Sequence, residues 1–414
     1  MKKHLLAASF LLSAATSFGA GYQINLEGLR QVAMGGTGTA WPWDASTIFY
    51  NPGGLARLKG IQAYVSVSAI MPSTAFGNQE NSGTTPTSVR TNPQTFTPFN
   101  VYVGGLVQEN SRIALGLGIY TPAGSGLDWG TNWLGKYLVQ SITLKTVFFQ
   151  PTIAYKISDF LSVGAGFVYG IGSLNFSEAM PVHSTLGPGY DDGQAKLSGN
   201  ANGVGFNVGA QFKLSDELQF GLTYRSQVNM SISGGSANFT VPTSLRDSFP
   251  NTKFDSQLPV PQVVSFGVGY RMGGWTFQFD LNYTGWNSFD SLRFNFSQHT
   301  STLQDIHAPR HYQNTFTPRI GATYKINKVV AVMAGAAYDP TPVTNGFVSP
   351  DLPDANRYVV TCGATVKPMP RFTIIAAVEG TSTVKRAGDY NFGGFSGTYQ
   401  TQAVTPGIAL YYNF

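Results

Sequence analysis

The stretch WTFQFDLNYT, residues 275–284, alternates apolar and polar side chains along its whole length. Successive side chains of a β-strand point to opposite faces. One face therefore carries the large apolar residues Trp275, Phe277, Phe279, Leu281 and Tyr283. The stretch SRIALGLGIY, residues 111–120, repeats the alternation with mostly small residues on its second face. A wide apolar face backed by small or polar residues suits a wall between lipid and water, and it is typical of a transmembrane β-barrel.

The composition of the whole chain favours the same class of protein. Charged residues make up 11% of the 414 residues, whereas soluble domains contain about 25%. Glycine (48 residues) and aromatic residues (13%) are abundant, as expected for a barrel wall with interfacial aromatic girdles. The single cysteine, Cys362, excludes an internal disulfide framework. A formal charge of +5 spread along the chain gives no reason to expect a nucleic-acid partner.

The N-terminal residues 1–19 have the pattern of a secretory signal peptide. Lys2 and Lys3 form a basic start, an apolar run covers 5–12, and a small residue, Gly19, closes the segment. The apolar run is too short to span a membrane, because a spanning helix needs roughly 20 apolar residues. We therefore expect export from the cytoplasm, with cleavage after Gly19.

Segments with strand character follow residue 60, and short and long connections alternate between them. The fourteen predicted strands are 61–72, 98–108, 111–121, 142–156, 160–178, 195–214, 217–240, 258–272, 274–297, 312–326, 328–341, 356–368, 370–386 and 397–414. Outer-membrane barrels have an even strand number, short periplasmic turns and long outer loops. The sequence therefore predicts an all-β fold, a 14-stranded antiparallel transmembrane β-barrel with both termini in the periplasm.

Residues 20–60 lack the alternation and are too few to form a hydrophobic core of their own. The segment nevertheless contains large apolar residues that need burial: Trp41, Trp43, Ile48, Phe49, Tyr50 and Leu55. A fourteen-stranded barrel would conduct water unless something filled its lumen. We therefore predict a signal peptide at 1–19, an N-terminal plug inside the lumen at 20–60 and the barrel at 61–414. The alternative is a mobile periplasmic tail, which would leave the aromatic residues in water.

Three stretches of the chain resemble the FadL family of outer-membrane transporters: AGYQIN at 20–25, DASTIFYNPGGLA at 44–56 and LPDANRY at 352–358. The plug motif of that family usually reads Asn-Pro-Ala, and here Gly53 takes the third position. The resemblance implies a fourteen-stranded barrel with an N-terminal plug in the outer membrane of a Gram-negative bacterium. It also implies passive transport of long-chain fatty acids or other hydrophobic compounds, which are captured at outer loops and released laterally into the membrane.

The loop after the third strand supplies the candidate capture site. It is rich in large apolar residues, namely Leu127, Trp129, Trp133, Leu134 and Leu138. Such a cluster on an outer loop would form a hydrophobic landing surface, although a small loop core or an interfacial aromatic belt explains it equally well. The resemblance implies that Tyr22, Ile24 and Leu26, at the mature N-terminus, reach toward the ligand in an inner pocket.

The candidate gate lies in the third strand, where Gly116 and Gly118 fall on the inward face. Glycines there leave space for a plug segment or an acyl chain, so we expect them to face Asn51, Pro52 and Gly53. Ordinary barrel glycines are the alternative, because strands two, five and six also carry inward glycines.

A carboxylate head group would favour a basic partner in the lumen. Strand parity leads us to expect that Lys145, Arg225, Arg319 and Arg357 point inward. Family members that bind fatty acids place basic residues along the fifth strand, but the range 161–176 contains none here. The sequence therefore leaves a neutral hydrocarbon or aromatic substrate open beside a fatty acid.

We expect no cofactor, no metal site and no catalytic residues. His299, His307 and His311 share one outer loop, and Pro309 argues against a helix that would make the last two adjacent metal ligands. A general diffusion porin and an outer-membrane hydrolase are the alternatives to a transporter. The expected partners are a hydrophobic ligand, outer-membrane lipid and lipopolysaccharide, and the barrel-assembly machinery, which would read the C-terminal strand ending at Phe414.

Overall fold

The computed structural model describes residues 21–78 and 88–414, so the predicted signal peptide lies outside the described residues. The barrel strands, several of them in two pieces, are β1 (Ile61–Ser68 and Met71–Gly77), β2 (Ser88–Arg90 and Phe99–Leu106), β3 (Ile113–Tyr120 and Gly124–Asp128), β4 (Ser141–Lys156), β5 (Leu161–Met180), β6 (Gly193–Lys213), β7 (Leu218–Arg225 and Val228–Thr240), β8 (Thr252–Val260 and Val263–Met272), β9 (Trp275–Thr284 and Ser291–Phe296), β10 (Ile306–Pro309 and Thr315–Lys325), β11 (Val330–Asp339), β12 (Arg357–Met369), β13 (Phe372–Thr383 and Arg386–Tyr390) and β14 (Phe395–Asn413).

The helical elements are short. The α-helices are α1 (Leu29–Val32), α2 (Thr47–Tyr50) and α3 (Val182–Leu186), and 3₁₀ turns cover Pro52–Arg57, Thr243–Leu245, Trp286–Ser288 and Asn391–Gly393. Within 21–78 and 88–414, none of the helices has the length and apolar character needed to cross a membrane.

Each strand pairs antiparallel with its neighbours in sequence, and β14 closes the sheet against β1. The closing pair runs from Gln62 opposite Asn413 to Ser68 opposite Gly407. The predicted all-β fold with fourteen antiparallel strands in a closed barrel is therefore confirmed.

Outward-facing side chains form the apolar belt that the alternation predicts. On β5, Phe167 and Ile171 are exposed, whereas Val168 is buried on the inward face. Beyond Ile171 the outward positions become Ser173 and Asn175, so the belt ends there. Lipid covers the apolar belt in the membrane, and the level of residues 171–173 marks its outer edge.

Residues 21–60, the N-terminal segment, pack inside the barrel against inward-facing glycines and polar side chains. The backbone carbonyl of Met34 lies so close to Gly321 of β10 that a Cβ there has no room. Asp280 of β9 accepts a hydrogen bond from the Gly38 N–H at 2.9 Å. This packing removes the large apolar side chains of the segment from water, which stabilises the segment inside the barrel.

Strand β3 is interrupted, and its pairing with β2 ends at the interruption. The last paired residues are Val101 of β2 and Ile119 of β3. Pro122 lies in the irregular range 121–123 and has no N–H group to donate to a neighbouring strand. The second piece of β3 pairs with β4 alone, which leaves a gap in the wall between β2 and β3.

The N-terminal segment takes the place that β2 leaves beside β3. The Ile24 N–H donates to the Pro122 carbonyl at 2.9 Å, and the Gly124 N–H donates to the Tyr22 carbonyl at 3.0 Å. These two bonds make residues 22–24 a short extra strand at the edge of the gap. Hydrogen bonds therefore fix the start of the described chain beside the gap between β2 and β3.

Candidate functional site

An apolar pocket at the outer end of the lumen encloses about 770 Å³ of empty space. Its lining consists mainly of aliphatic, aromatic and methionine side chains, among them Leu144, Phe176, Met230, Leu258, Phe289 and Leu292. Tyr22 of the N-terminal segment also lines it, with its ring edge-on to Phe289 at a centroid distance of 5.5 Å. Such a concave apolar lining can bury most of the surface of a small hydrophobic molecule.

A larger cavity, the wall cavity, has a volume of about 1820 Å³ that includes open solvent, and it passes through the gap between β2 and β3. Leu26 and Arg357 line its inner part from the lumen. Phe99 and Lys145, which are exposed on the outside of the wall, line its outer part. Because side chains from both faces line one cavity, it connects the lumen with the lipid-facing surface. The wall cavity and the apolar pocket share lining residues of β3, β4 and the loop before β12, so they are adjacent.

Two side chains seated on glycines of β3 narrow the wall cavity. A Cβ on Gly124 would lie 3.0 Å from Ile24 Cδ1, so Ile24 covers that glycine. The ring of Phe96 lies directly on Gly126, where a Cβ has no room at all. Phe96 is held by its own backbone, which exchanges hydrogen bonds of 2.8 and 3.0 Å with Ile70 of the chain between the two pieces of β1. The side chains of Ile24 and Phe96 therefore narrow the passage where β2 and β3 do not pair.

A polar cavity of about 880 Å³ is also lined by the N-terminal segment and contains the buried carboxyl of Glu27. Neither carboxyl oxygen has a hydrogen-bond partner in another described residue. Burial raises the pKa of Glu27 to about 8, against the opposing effect of the Arg225 guanidinium. Arg225 itself donates to the Phe49 carbonyl at 2.7 Å and stacks on the Phe49 ring at 3.6 Å. This cavity is polar and charged, so it differs in chemistry from the apolar pocket.

Three of the four candidate head-group ligands lie inside the lumen, and each already has a partner. Arg225 binds the N-terminal segment, and Arg319 donates to the Gly35 carbonyl at 3.1 Å. Arg357 forms an ion pair with Asp339 at 2.9 Å. The inward direction expected for these arginines agrees with the structure, but their charges are used by the protein itself.

The inward direction expected for Lys145 is wrong. The buried positions of β4 are Thr146, Phe148 and Gln150, so Lys145 has the opposite parity and is exposed on the outside of the wall. It lies opposite Ser173, at the outer edge of the apolar belt. A head group inside the lumen therefore does not meet this lysine.

The tryptophans of the loop after β3 are buried and do not form an exposed landing surface. Trp129 and Trp133 are 3% and 4% exposed and stack at a centroid distance of 4.6 Å. Their indole N–H groups donate to the carbonyls of Pro350 and Val139, at 3.0 and 2.6 Å. Trp129 and Trp133 therefore belong to a loop core, the alternative to a landing surface. Each indole ring is packed, and each indole N–H has an acceptor.

The leucines of that loop have three different environments. Leu127 is buried and lines the wall cavity, Leu138 is half-buried, and Leu134 is 53% exposed. Of the candidate capture residues, Leu134 is the one with most of its surface open to the outside. Leu127 belongs to the passage through the wall instead.

The expected contact between the glycines of β3 and the Asn-Pro-Gly motif is wrong. A Cβ on Gly116 would lie 2.6 Å from Ile48 Cδ1, so the space beside this glycine is filled by α2. A Cβ on Gly118 would likewise meet Tyr102, at 2.9 Å. Asn51 donates to the Ala210 carbonyl of β6 at 3.0 Å, on another part of the wall. The remaining motif residues, Pro52 and Gly53, pack there too, against β5 and β6.

The whole chain matches known proteins in both sequence and structure. Residues 10–414 match the family model described as "Outer membrane protein transport protein (OMPP1/FadL/TodX)". The chain belongs to this family. A long-chain fatty acid transport protein of Escherichia coli O6:H1 is 23% identical over 399 residues, with 88% of this chain and 87% of that protein covered. The protein is accordingly a β-barrel of the outer membrane.

Solved structures of the family have the same fold. A Pseudomonas aeruginosa FadL homologue superposes with a TM-score of 0.81 at 20% identity, covering 95% of this chain and 100% of that one. The Pseudomonas putida toluene transporter TodX gives 0.73 at 16% identity, covering 94% and 98%. At these identities the likeness concerns the fold.

Sequence reasoning missed the residues that line the apolar pocket apart from Tyr22. Met230, Leu258, Phe289 and Leu292 lie on distant parts of the chain, and only the closed barrel brings them together. Phe96 was missed because the range 91–98 shows no strand alternation. The signal that could have found the pocket is the length of the strand segments 217–240 and 274–297, whose outer ends carry inward apolar residues beyond the membrane.

Two of the outer-loop histidines are hydrogen-bonded to surface carboxylates. His299 lies 2.8 Å from Asp305, and His311 lies 2.6 Å from Asp290. Within 21–78 and 88–414, no group of three histidine, cysteine or acidic side chains is arranged to hold a metal ion.

Proposed function

We propose that this member of the family transports hydrophobic small molecules passively, from the apolar pocket through the wall cavity and sideways into the membrane. The observation that carries the proposal is the adjacency of these two spaces, one apolar and the other lined by side chains from both faces of the wall. Relatives named for long-chain fatty acid and toluene transport support this class of cargo. Tyr22 would contact the cargo in the pocket, and Ile24, Leu26 and Leu127 would contact it in the wall cavity.

The free energy of transfer favours the sideways route. Each CH₂ group moved from an apolar medium into water costs about 0.8 kcal/mol. A hydrophobic cargo therefore leaves more readily into lipid than into the periplasm. The wall cavity supports this route because Val147, which lines it, lies opposite Ile171 at the outer edge of the apolar belt.

The N-terminal segment acts in this proposal as a plug, with the domain boundary near residue 60. Its position inside the barrel argues against a general diffusion porin, because a porin needs an open polar lumen. The segment is also held by side chains of the wall: Ser162 of β5 donates to the Gly53 carbonyl at 2.8 Å. Ions would then have no wide aqueous path through the intact protein.

A non-enzymatic function is part of the proposal. The family consists of transport proteins. A hydrolase of the serine type needs a histidine beside its nucleophile. The histidines of the described residues, His183, His299, His307 and His311, are all exposed on outer segments and line none of the three cavities.

The proposed partners follow from the outer surface of the barrel. Lipid and lipopolysaccharide would cover the apolar belt. The C-terminal strand presents Ile408, Leu410, Tyr412 and Phe414 outward, and Phe414 is 63% exposed. Such a terminal apolar face is available to the barrel-assembly machinery before the barrel closes. We expect no nucleic-acid partner.

Filling the wall cavity tests the proposed route. Gly124→Leu adds an apolar side chain whose Cβ would lie 3.0 Å from Ile24 Cδ1. The passage should therefore narrow while the barrel still assembles. We expect several-fold slower uptake of a hydrophobic fluorescent probe by whole cells, with unchanged probe binding by the purified protein.

The matched control is Gly380→Leu on the lipid-facing side of β13, where the nearest atom lies 3.9 Å from a Cβ. This variant should take up the probe like the parent protein. Normal uptake by Gly124→Leu, at equal surface abundance and with heat-modifiable gel mobility intact, would rule out this passage.

A further inference from the structure

We infer that the apolar pocket selects uncharged hydrophobic molecules and discriminates against molecules with a carboxylate. This inference rests on the proposed transport function and names the chemical class of its cargo. It is carried by the charges and hydrogen bonds of the pocket lining, which leave nothing to stabilise an anion.

The lining contains no lysine, arginine or histidine. Its one charged side chain is Asp351, which carries the same sign as a fatty-acid head group. The nearby cation, Arg310, is buried and donates to both carboxylate oxygens of Asp351, at 3.1 and 2.8 Å. Asp351 therefore neutralises Arg310 and stands between this guanidinium and the pocket.

The hydroxyl groups of the lining are also mostly used. A hydroxyl has one proton to donate, and three of them donate it to backbone carbonyls. Tyr22 donates to Pro259, Thr146 donates to Ala123 and Ser256 donates to Arg293. Of the two remaining serines, Ser173 lies at an outward position of β5, and the Ser125 hydroxyl could serve a neutral oxygen of a ligand as well as an anion.

A carboxylate entering this pocket would lose its water without gaining a cation or a set of donors. Burying an ionised group without such compensation is strongly unfavourable, and the group takes up a proton instead. The lumen arginines offer no direct alternative, because none of Arg225, Arg319 and Arg357 lines the apolar pocket. An uncharged molecule meets none of these costs.

The test compares ligands that share one hydrophobic body. Hexylbenzene, 6-phenylhexanol and 6-phenylhexanoate compete with a bound fluorescent hydrophobic probe on the full mature protein in lipid nanodiscs at pH 8, with empty nanodiscs subtracted. We expect both uncharged ligands to displace the probe at concentrations at least tenfold lower than the acid. The deficit of the acid should shrink as the pH falls and the acid becomes protonated.

A variant tests whether the Arg310–Asp351 pair causes the discrimination against the carboxylate. Asp351→Asn keeps the shape of the side chain but leaves the Arg310 charge uncompensated beside the pocket. We expect the acid to bind at least tenfold more tightly than it binds the parent protein, with hexylbenzene unchanged. The control is Asp290→Asn, which removes an exposed acid that pairs with His311 outside the pocket.

The outcomes separate the two proposals. An acid that displaces the probe as well as the alcohol does at pH 8, in the parent protein, overturns the selectivity. An acid affinity unchanged by Asp351→Asn, in a correctly assembled variant, overturns the role given to Asp351. If none of the three ligands displaces the probe or binds above empty nanodiscs, the proposed transport function itself is wrong.

Discussion

At the scale of single residues, burial decides what an apolar side chain does. Trp129 and Trp133 lie in an outer loop, yet their rings pack on each other and on Phe76, at centroid distances of 6.3 and 5.6 Å. Their contribution is therefore to the order of the outer loops.

Trp133→Ala should destabilise the outer loops without abolishing the barrel. Replacing a fully packed tryptophan by alanine costs about 3–5 kcal/mol, and here it also leaves the Val139 carbonyl without its donor. We expect faster proteolysis of the loop between β3 and β4 on intact cells, with normal heat-modifiable mobility. Leu134→Ala, at an exposed position of the same loop, is the control. Equal proteolysis of both variants would contradict the buried role of Trp133.

Strand parity predicted the direction of three of the four basic side chains. Arg225, Arg319 and Arg357 point inward as expected. Lys145 was assigned to the wrong face, although β4 alternates regularly and buries Thr146, Phe148 and Gln150. The burial of the tryptophans could not be predicted from the loop sequence alone, since the rings that pack on them come from β1 and β14.

At the scale of elements, the interruption of β3 creates the passage, and Phe96, which lies between the two pieces of β2, covers it. Phe96→Ala removes the ring that lies on Gly126, so the outer part of the wall cavity should widen. We expect faster uptake of a hydrophobic probe than by the parent protein. The control is Phe392→Ala, which shortens a phenylalanine that is 54% exposed elsewhere. Uptake equal to that of the parent would show that Phe96 does not limit the passage.

The elements differ in how far the sequence predicts them. Alternation and turn residues suffice for the strands, because each strand is specified locally by a lipid-facing side and a lumen side. The gap between β2 and β3 arises where these two strands stop pairing. Residues 22–24, from a distant part of the chain, pair with β3 at the edge of this gap. The predicted contact of Gly116 with the Asn-Pro-Gly motif was wrong for a similar reason. The path of the N-terminal segment, which the local sequence does not specify, brings Ile48 beside Gly116 instead.

At the scale of the whole molecule, the filled lumen leaves the gap between β2 and β3 as the route for cargo. Deleting residues 21–56, with the signal peptide kept, should leave an assembled barrel with an open lumen lined by polar inward side chains. We expect large ion conductance of this variant in planar bilayers and little conductance of the intact protein. High and equal conductance of both would favour a diffusion porin over a plugged transporter.

The central claim is that a hydrophobic molecule moves from the apolar pocket through the wall cavity into the membrane. The most direct measurement is photo-crosslinking in intact cells with an alkylbenzene that carries a diazirine, followed by mass-spectrometric mapping of the labelled residues. The account predicts adducts in the pocket, around Met230 and Leu292, and in the wall cavity, around Leu26 and Phe99. In Gly124→Leu the pocket adducts should persist and those around Phe99 should disappear. Adducts confined to the polar cavity around the Glu27 carboxyl, with none in the wall cavity of the parent protein, would contradict the account.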